Sequence, residues 1–335
     1  TLLVYHNFGV WPYQPTTIDD SALGVNAVIC QDLNHNGQND LAAIHAQSGI
    51  IFSYFQHQGF TPNLVANSRD GYITLDAADF NNNQQVQVLT QAHFQQRNLL
   101  YKPDAQNDEQ VIWQDFPDGA YHLEIGDFNQ DGLEDVAYVA FHENKIYWAE
   151  KILRGYKVHL IFDDVDGPQS ISVGDIDHDG DLDIVSAGAW DDTFRLHTNE
   201  GAGLFSTTEL FTEANNAARS KIVDINGDGI NDVVITSSLD DSVRWIDLSN
   251  GQPEIHLIGT QMDGALAFDT LDYDQDGDAD IVVGNFFGNE VVVLINLSNN
   301  IFVPVCSGQV ILATVLDFSQ YFRSDSLGVR PSLLA

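Results

Sequence analysis

The sequence is poor in cations: 13 Lys and Arg stand against 49 Asp and Glu, and the formal net charge is −36 at pH 7. So acidic a surface repels phosphate backbones and anionic lipid, which argues against nucleic-acid partners and membrane-surface binding. Cysteine is nearly absent. Cys30 and Cys306 cannot make a disulfide framework, and no C-x-x-C or Cys/His cluster suggests zinc. Their settings, VNAVICQDL and FVPVCSG, read as strands in which Cys is a small buried hydrophobe, with a bond between the two left open. Long apolar runs are missing as well. The longest, VVVLINL at 291–297, is far too short to cross a bilayer, so membrane insertion is not expected. The opening TLLVYHNFG lacks the basic and long apolar regions of a signal peptide, so a secreted protein would here be its mature chain.

What remains is ample material for a core. The chain has 335 residues, 44% of them hydrophobic and 10% aromatic, which excludes global disorder and suits two domains or one large β architecture. One nine-residue phrase recurs: DLNHNGQND at 32–40, DFNQDGLED at 127–135, DIDHDGDLD at 175–183, DINGDGIND at 224–232 and DYDQDGDAD at 272–280. Two worn copies, DFNNNQQVQ at 79–87 and DFSQYFRSD at 317–325, complete the series. From Asp32 through Asp79, Asp127, Asp175, Asp224 and Asp272 to Asp317 the steps are 47, 48, 48, 49, 48 and 45 residues.

Every unit has the same grammar. An apolar stretch enters the phrase, a β-branched run leaves it, and two further short stretches follow, all bounded by Gly, Asn and Asp. The third stretch carries one large residue per unit: Tyr5, Tyr54, Tyr101, Trp148, Leu196, Trp245 and Leu294. Four strands per unit at this period predict a β-propeller blade, and seven units predict a seven-bladed ring spanning 1–335 as one domain. The chain opens on a third and fourth strand and ends after a first and second. The seventh blade would therefore combine both termini and leave no free edge.

The phrase reads D-x-[DN]-x-[DN]-G-x-x-D. Its oxygens at positions 1, 3, 5 and 9 converge in a tight turn, a donor set suited to Ca²⁺. The candidate ligands are Asp32, Asn34, Asn36 and Asp40; Asp127, Asn129, Asp131 and Asp135; Asp175, Asp177, Asp179 and Asp183; Asp224, Asn226, Asp228 and Asp232; Asp272, Asp274, Asp276 and Asp280. About five calcium ions are expected, in blades 1, 3, 4, 5 and 6. An EF-hand begins alike but needs Glu at position 12, where this chain has Ala43, Tyr138, Ser186, Ile235 and Val283. Turn chemistry alone would explain one such phrase; five at one period favour metal. The copy at 79–87 has Gln87 at its last position and the copy at 317–325 has Ser319, Tyr321 and Phe322, so both are expected to be empty.

The stretches DIDHDGDLDIVSAG and DYDQDGDADIVVGN resemble the FG-GAP/VCBS repeat of integrin α-chain propellers and of many secreted proteins. The resemblance implies fold and calcium but no single activity. Its relatives include adhesion propellers, fungal lectins that bind N-acetylglucosamine between blades, polysaccharide lyases and a dehydratase. It also implies that ligands meet the face formed by the loops joining strands 2–3 and 4–1. There the 2–3 loops carry His45, His93 with Phe94, His142, Trp190 with Asp191 and Asp192, Asp240 with Asp241, and Phe286 with Phe287. The 4–1 loops carry Asp-Gly at a fixed phase, at Asp70, Asp118, Asp166 and Asp263, which is most simply a turn requirement.

No G-x-S-x-G, H-E-x-x-H or Cys/His pair is present, and no catalytic residue is assigned. A lyase would need a base, for which Tyr72, Tyr121, His45, His93 and His142 are candidates, and a cation, for which the 4–1 loops offer Arg69 and Arg219. Binding is favoured over catalysis. The expectation is a secreted, multivalent carbohydrate-binding propeller whose contacts are Trp190, Asp191, Phe286, Phe287, His142 and Tyr121. Its partner would be a glycan, polysaccharide or cell-surface glycoprotein. A polysaccharide-acting lyase or dehydratase with its site at the central funnel, and an integrin-like adhesion module, stay open as alternatives.

Overall fold

In a computed structural model the chain is described at residues 2–5, 15–21, 25–45, 48–67, 72–80, 84–92, 97–103, 110–113, 120–153, 155–274, 276–288, 290–297 and 301–307. These form six antiparallel four-stranded sheets and one two-stranded sheet. Blade 1 begins at Val25–Gln31, blade 2 at Tyr72–Ala78, blade 3 at Ala120–Gly126, blade 4 at Pro168–Gly174, blade 5 at Ala217–Val223 and blade 6 at Ala265–Leu271. In each, strands pair in chain order, and the first strands of consecutive blades touch, so they form the inner wall. This is a β-propeller. The sequence period predicts seven blades; the described residues complete six. Leu2–Tyr5 pairs with Pro15–Asp19 as a two-stranded sheet, and the C-terminal strands expected to join them lie outside the described residues.

Burial explains the strand grammar. The second strands Asp40–His45, Asp135–Ala140, Asp183–Gly188 and Asp232–Ser237 are buried at every position, because neighbouring blades cover both of their faces. Such strands read as continuous β-branched runs instead of alternating ones. The outer strand Tyr156–Phe162 is half in water. Each core is shared between two blades: Val185 and Phe194 of blade 4 pack with Val233, Ile235 and Ile246 of blade 5. Burying each such side chain contributes roughly 1.5–3 kcal/mol. The third-strand column behaves as core, with Tyr54, Tyr101, Trp148, Trp245 and Leu294 all buried. Cys30 departs from expectation: it is an exposed free thiol on the first strand of blade 1. The side chain of Cys306 lies outside the described residues.

Candidate functional site: acidic turns, an aromatic loop cluster and a charged inner wall

Each acidic turn joins strands 1 and 2, and its first Asp organises it. Asp127 Oδ1 accepts the Asp131 N–H at 3.0 Å and its Oδ2 accepts the Gly132 N–H at 2.7 Å. Asp32, Asp224 and Asp272 repeat both bonds. The fifth residue then caps the seventh: Asp179 Oδ1 takes the Asp181 N–H at 2.8 Å and Asp228 Oδ1 the Ile230 N–H at 2.8 Å. Gly132 and Gly180, at φ +80 and +95, supply the left-handed backbone that closes the loop.

The ninth Asp has a role the sequence does not announce. Asp183 is buried and accepts the Ile176 N–H of its own turn at 2.8 Å and the Asn199 N–H ending strand 3 at 2.8 Å. Asp135 does the same with Phe128 and Lys151, and Asp280 with Tyr273 and Asn296. It is a latch between turn and blade as well as a candidate ligand.

The donors fit a hard divalent ion. Carboxylate oxygens of Asp175, Asp177 and Asp183 lie within 4.8 Å of one another, as do those of Asp272, Asp274 and Asp276. Oxygens on one Ca²⁺ at ~2.3–2.6 Å are separated by no more than about 5 Å. Asp175 Oδ1 is buried and accepts no hydrogen bond. Burial, reinforced by the neighbouring acids, pushes Asp183 up to about 6 and Asp135 up to about 7, the strain a bound cation relieves. In blade 1, Asn34 instead donates to Asp40 at 2.7 Å, closing that turn on itself. Of the two copies expected to be empty, the one at 79–87 is described in part and the one at 317–325 lies outside the described residues. A polar groove of about 330 Å³ runs between the turns of blades 5 and 6, lined by Asp224, Asp272 and Asp278.

On the opposite face the structure gathers Tyr121, Phe141, His142 and Trp190 between blades 3 and 4. Phe141 stacks on Tyr121 at 5.1 Å and meets Trp190 edge-on at 5.0 Å. Trp190 is 50% exposed. One face of its indole lies on Gly167, where any Cβ would sit 2.8 Å from the ring. Asn144 and Asp166 border the cluster and bond to each other at 3.1 Å. Phe287 rests on Gly264 in the same way and is 57% exposed, while Phe286 is half-buried.

Asp191 is not a free sugar contact: it accepts the Asp166 N–H at 3.1 Å and pairs with Arg195 at 2.8 Å. The recurring Asp-Gly is turn chemistry, with Gly167 and Gly264 at positive φ. Asp192 and Asp241 clasp the next blade by accepting the N–H of Asn216 and of Gly264. His45 is buried against Tyr54 at 2.9 Å, a packing role. Arg69, Asp70, His93, Phe94 and Asp118, and the side chain of Tyr72, lie outside the described residues. Sequence reasoning missed Phe141, although it follows Asp127 by the interval at which Phe286 follows Asp272.

The inner wall was also missed. Asp76, Glu124, Ser172, Lys221 and Asp269 each stand three residues before their phrase, on consecutive first strands. Arg219, read from sequence as a loop cation, lies on this wall, where it donates to the Gln169 carbonyl at 3.3 Å. Lys221 pairs with Asp269 of the next blade. Burial pushes Glu124 up to about 8, with Asp76 adding to the rise and Arg219 and Lys221 opposing it. Burial and Arg219 hold His122 well below the usual histidine range.

The fold and its turns define a β-propeller with FG-GAP-like repeats. A profile of the FG-GAP-like repeat matches residues 127–186, 176–235 and 224–283. No curated protein matches the chain by sequence. Among solved structures it is similar to selenomethionine-substituted virginiamycin B lyase from Staphylococcus aureus, with TM-score 0.63, 13% identity and 85% of each chain covered. It is also similar to a streptogramin B lyase, with TM-score 0.61 and 12% identity over 84% of this chain and 82% of that one. A catalytically inactive virginiamycin B lyase from the same organism, with quinupristin, gives TM-score 0.58 and 11% identity over 85% of each chain. At such identities the likeness is one of fold.

Proposed function

We propose that the chain is a seven-bladed, calcium-stabilised propeller that works outside cells and binds neutral carbohydrate through its 2–3 and 4–1 loops. The observation that carries this reading is Trp190, half-exposed, seated on Gly167 and met edge-on by Phe141, on which Tyr121 stacks, with Asn144 and Asp166 at its rim. Sugar C–H faces stack on such rings while amides and carboxylates take the hydroxyls. Phe286 and Phe287 offer a second, related surface on the corresponding loop of blade 6, so weak sites would add through avidity. The seventh repeat and the two-stranded sheet of Leu2–Tyr5 and Pro15–Asp19 support closure of the ring. The acidic turns support an extracellular setting, because turns of this kind would fill at the ~millimolar calcium outside cells.

The test is a glycan array in calcium with the native chain and Trp190→Ala. Neutral or amino-sugar binding by the native chain, lost in the variant with melting temperature and calcium content nearly unchanged, is the expected result. A blank array, or a variant that unfolds, would sink the reading. A second reading, an enzyme acting on polysaccharide at the central channel, is favoured by one observation: Glu124 stays protonated near neutrality beside Arg219 and His122. Screening neutral and acidic glycans for unsaturated uronate absorbance separates the two, since a pure binder yields no product.

A further inference from the structure

In blades 3 to 6 a cross-strand row runs outward from the ninth Asp, its first step continuing the strand 2–3 register by one residue. Directly opposed residues on adjacent strands share a face. In blade 4 the row is Asp183, Thr198 and Ser206; in blade 6 it is Asp280, Ile295 and Val303. In blade 3 it is Asp135, Glu150 and Lys157, and there the charges are matched: Glu150 meets Lys157 at 3.6 Å and His159 at 2.7 Å. Blade 5 alone among these rows has three acids: Asp232, Asp247 and Glu254. Three carboxylates side by side on neighbouring strands repel one another, and nothing in the row offsets them.

Two further features set blade 5 apart. Asp232 is fully buried but lacks the latch of its counterparts: the Ile225 N–H approaches only loosely, and both oxygens lack a full hydrogen-bond partner. Outside its turn the acid that acts on it is Asp247, which lies one step beyond the Val233–Ile246 pair. His256, on the same face two residues beyond Glu254, stacks on Trp245 at 4.3 Å and 19°, as His159 stacks on Trp148 in blade 3, which fixes the imidazole plane; what differs in blade 5 is the free nitrogen. Its Nε2 is buried without a hydrogen-bond partner and lies 3.7 Å from Glu254 Oε1. Ligand atoms of Asp247, Glu254 and His256 all fall within 4.8 Å of one another.

We infer that Asp247, Glu254 and His256 form a site for a borderline divalent transition metal, Zn²⁺ above all, with the unlatched Asp232 carboxylate facing it. An imidazole nitrogen with two carboxylates is a zinc donor set, whereas the all-oxygen turns suit a hard ion. A tetrahedral ion with ligands at ~2.0–2.1 Å spaces its donors about 3.4 Å apart, close to the His256–Glu254 separation. Asp247 Oδ1 already accepts the Ser249 N–H at 2.8 Å, which leaves Oδ2 for the metal.

The experiment titrates Zn²⁺, and Co²⁺ as its spectroscopic substitute, into the full chain held in millimolar calcium. One added metal per chain is expected, with tetrahedral Co²⁺ absorption. His256→Gln should weaken Zn²⁺ at least tenfold. So should Glu254→Lys, which rebuilds the neutral arrangement of blade 3 and guards against a folding defect in the first variant. Calcium content should not change in either. Absence of Zn²⁺ binding under calcium, or binding undiminished in Glu254→Lys, would overturn the proposal and leave His256 and Glu254 as an ion pair.

Discussion

Glu124 shows what one residue can mean on the inner wall of a ring. Its carboxyl is crowded by protein, by Asp76 and by the cations Arg219 and Lys221, and burial holds it near 8. A carboxyl whose folded value exceeds its ordinary one favours folding while protonated. That contribution is complete below about pH 4.5 and is lost as pH rises through about 8. Glu124→Gln removes the proton exchange and keeps the shape. The variant should therefore melt higher than the native chain at about pH 8 and level with it near pH 5, with calcium fixed. Thermal melts across that range check this, and parallel curves would refute it. None of this was legible in the sequence. LEIG and SKIV read as apolar entry stretches, and only the ring brings their intervening charges to a common axis.

At the scale of the element, the turn and the blade are coupled through the ninth Asp. The period, the four strands per unit and the large third-strand residue were all readable, because burial on both faces leaves a strong mark in sequence. The latch was not, because an Asp that could hold a metal and an Asp that holds two backbone N–H groups are the same letter. The two roles separate by mutation. Asp177 lies in the exposed part of its turn, so Asp177→Asn should weaken calcium and change little once the metal is chelated. Asp183→Ala strips two buried N–H groups of a charged acceptor, at roughly 1.5–3 kcal/mol for each bond. It should lower stability even in chelator. Denaturant melts of both variants with and without calcium decide it; equal losses for the two in chelator would show the latch to be idle. Trp190 was legible as an outlier from the core column, whereas the pairing of Asp191 with Arg195 required the fold.

For the whole molecule the governing quantity is the charge of −36, most dense where nineteen carboxylates, sixteen of them at ligand positions, crowd five turns. A compact state under such self-repulsion is destabilised, and screening by salt or neutralisation by divalent ions offsets this. Five calcium ions would add ten positive charges at the points of greatest crowding. With free calcium at 100 times the dissociation constant, each filled site adds about 2.7 kcal/mol to folding. Filling should follow carboxylate number. The turns of blades 4 and 6, with four acids each at ligand positions, load first, and that of blade 1, closed by Asn34 on Asp40, loads last. Chelation should lower the melting temperature, and added NaCl should recover part of the loss by screening. In calcium the same NaCl should change the melting temperature much less, because the closest charges are already neutralised. Melts in chelator and in calcium, each from low to high NaCl, test the account. A melting temperature indifferent to chelator, or a salt response equal in both conditions, would mean that the turns hold their shape by hydrogen bonds alone.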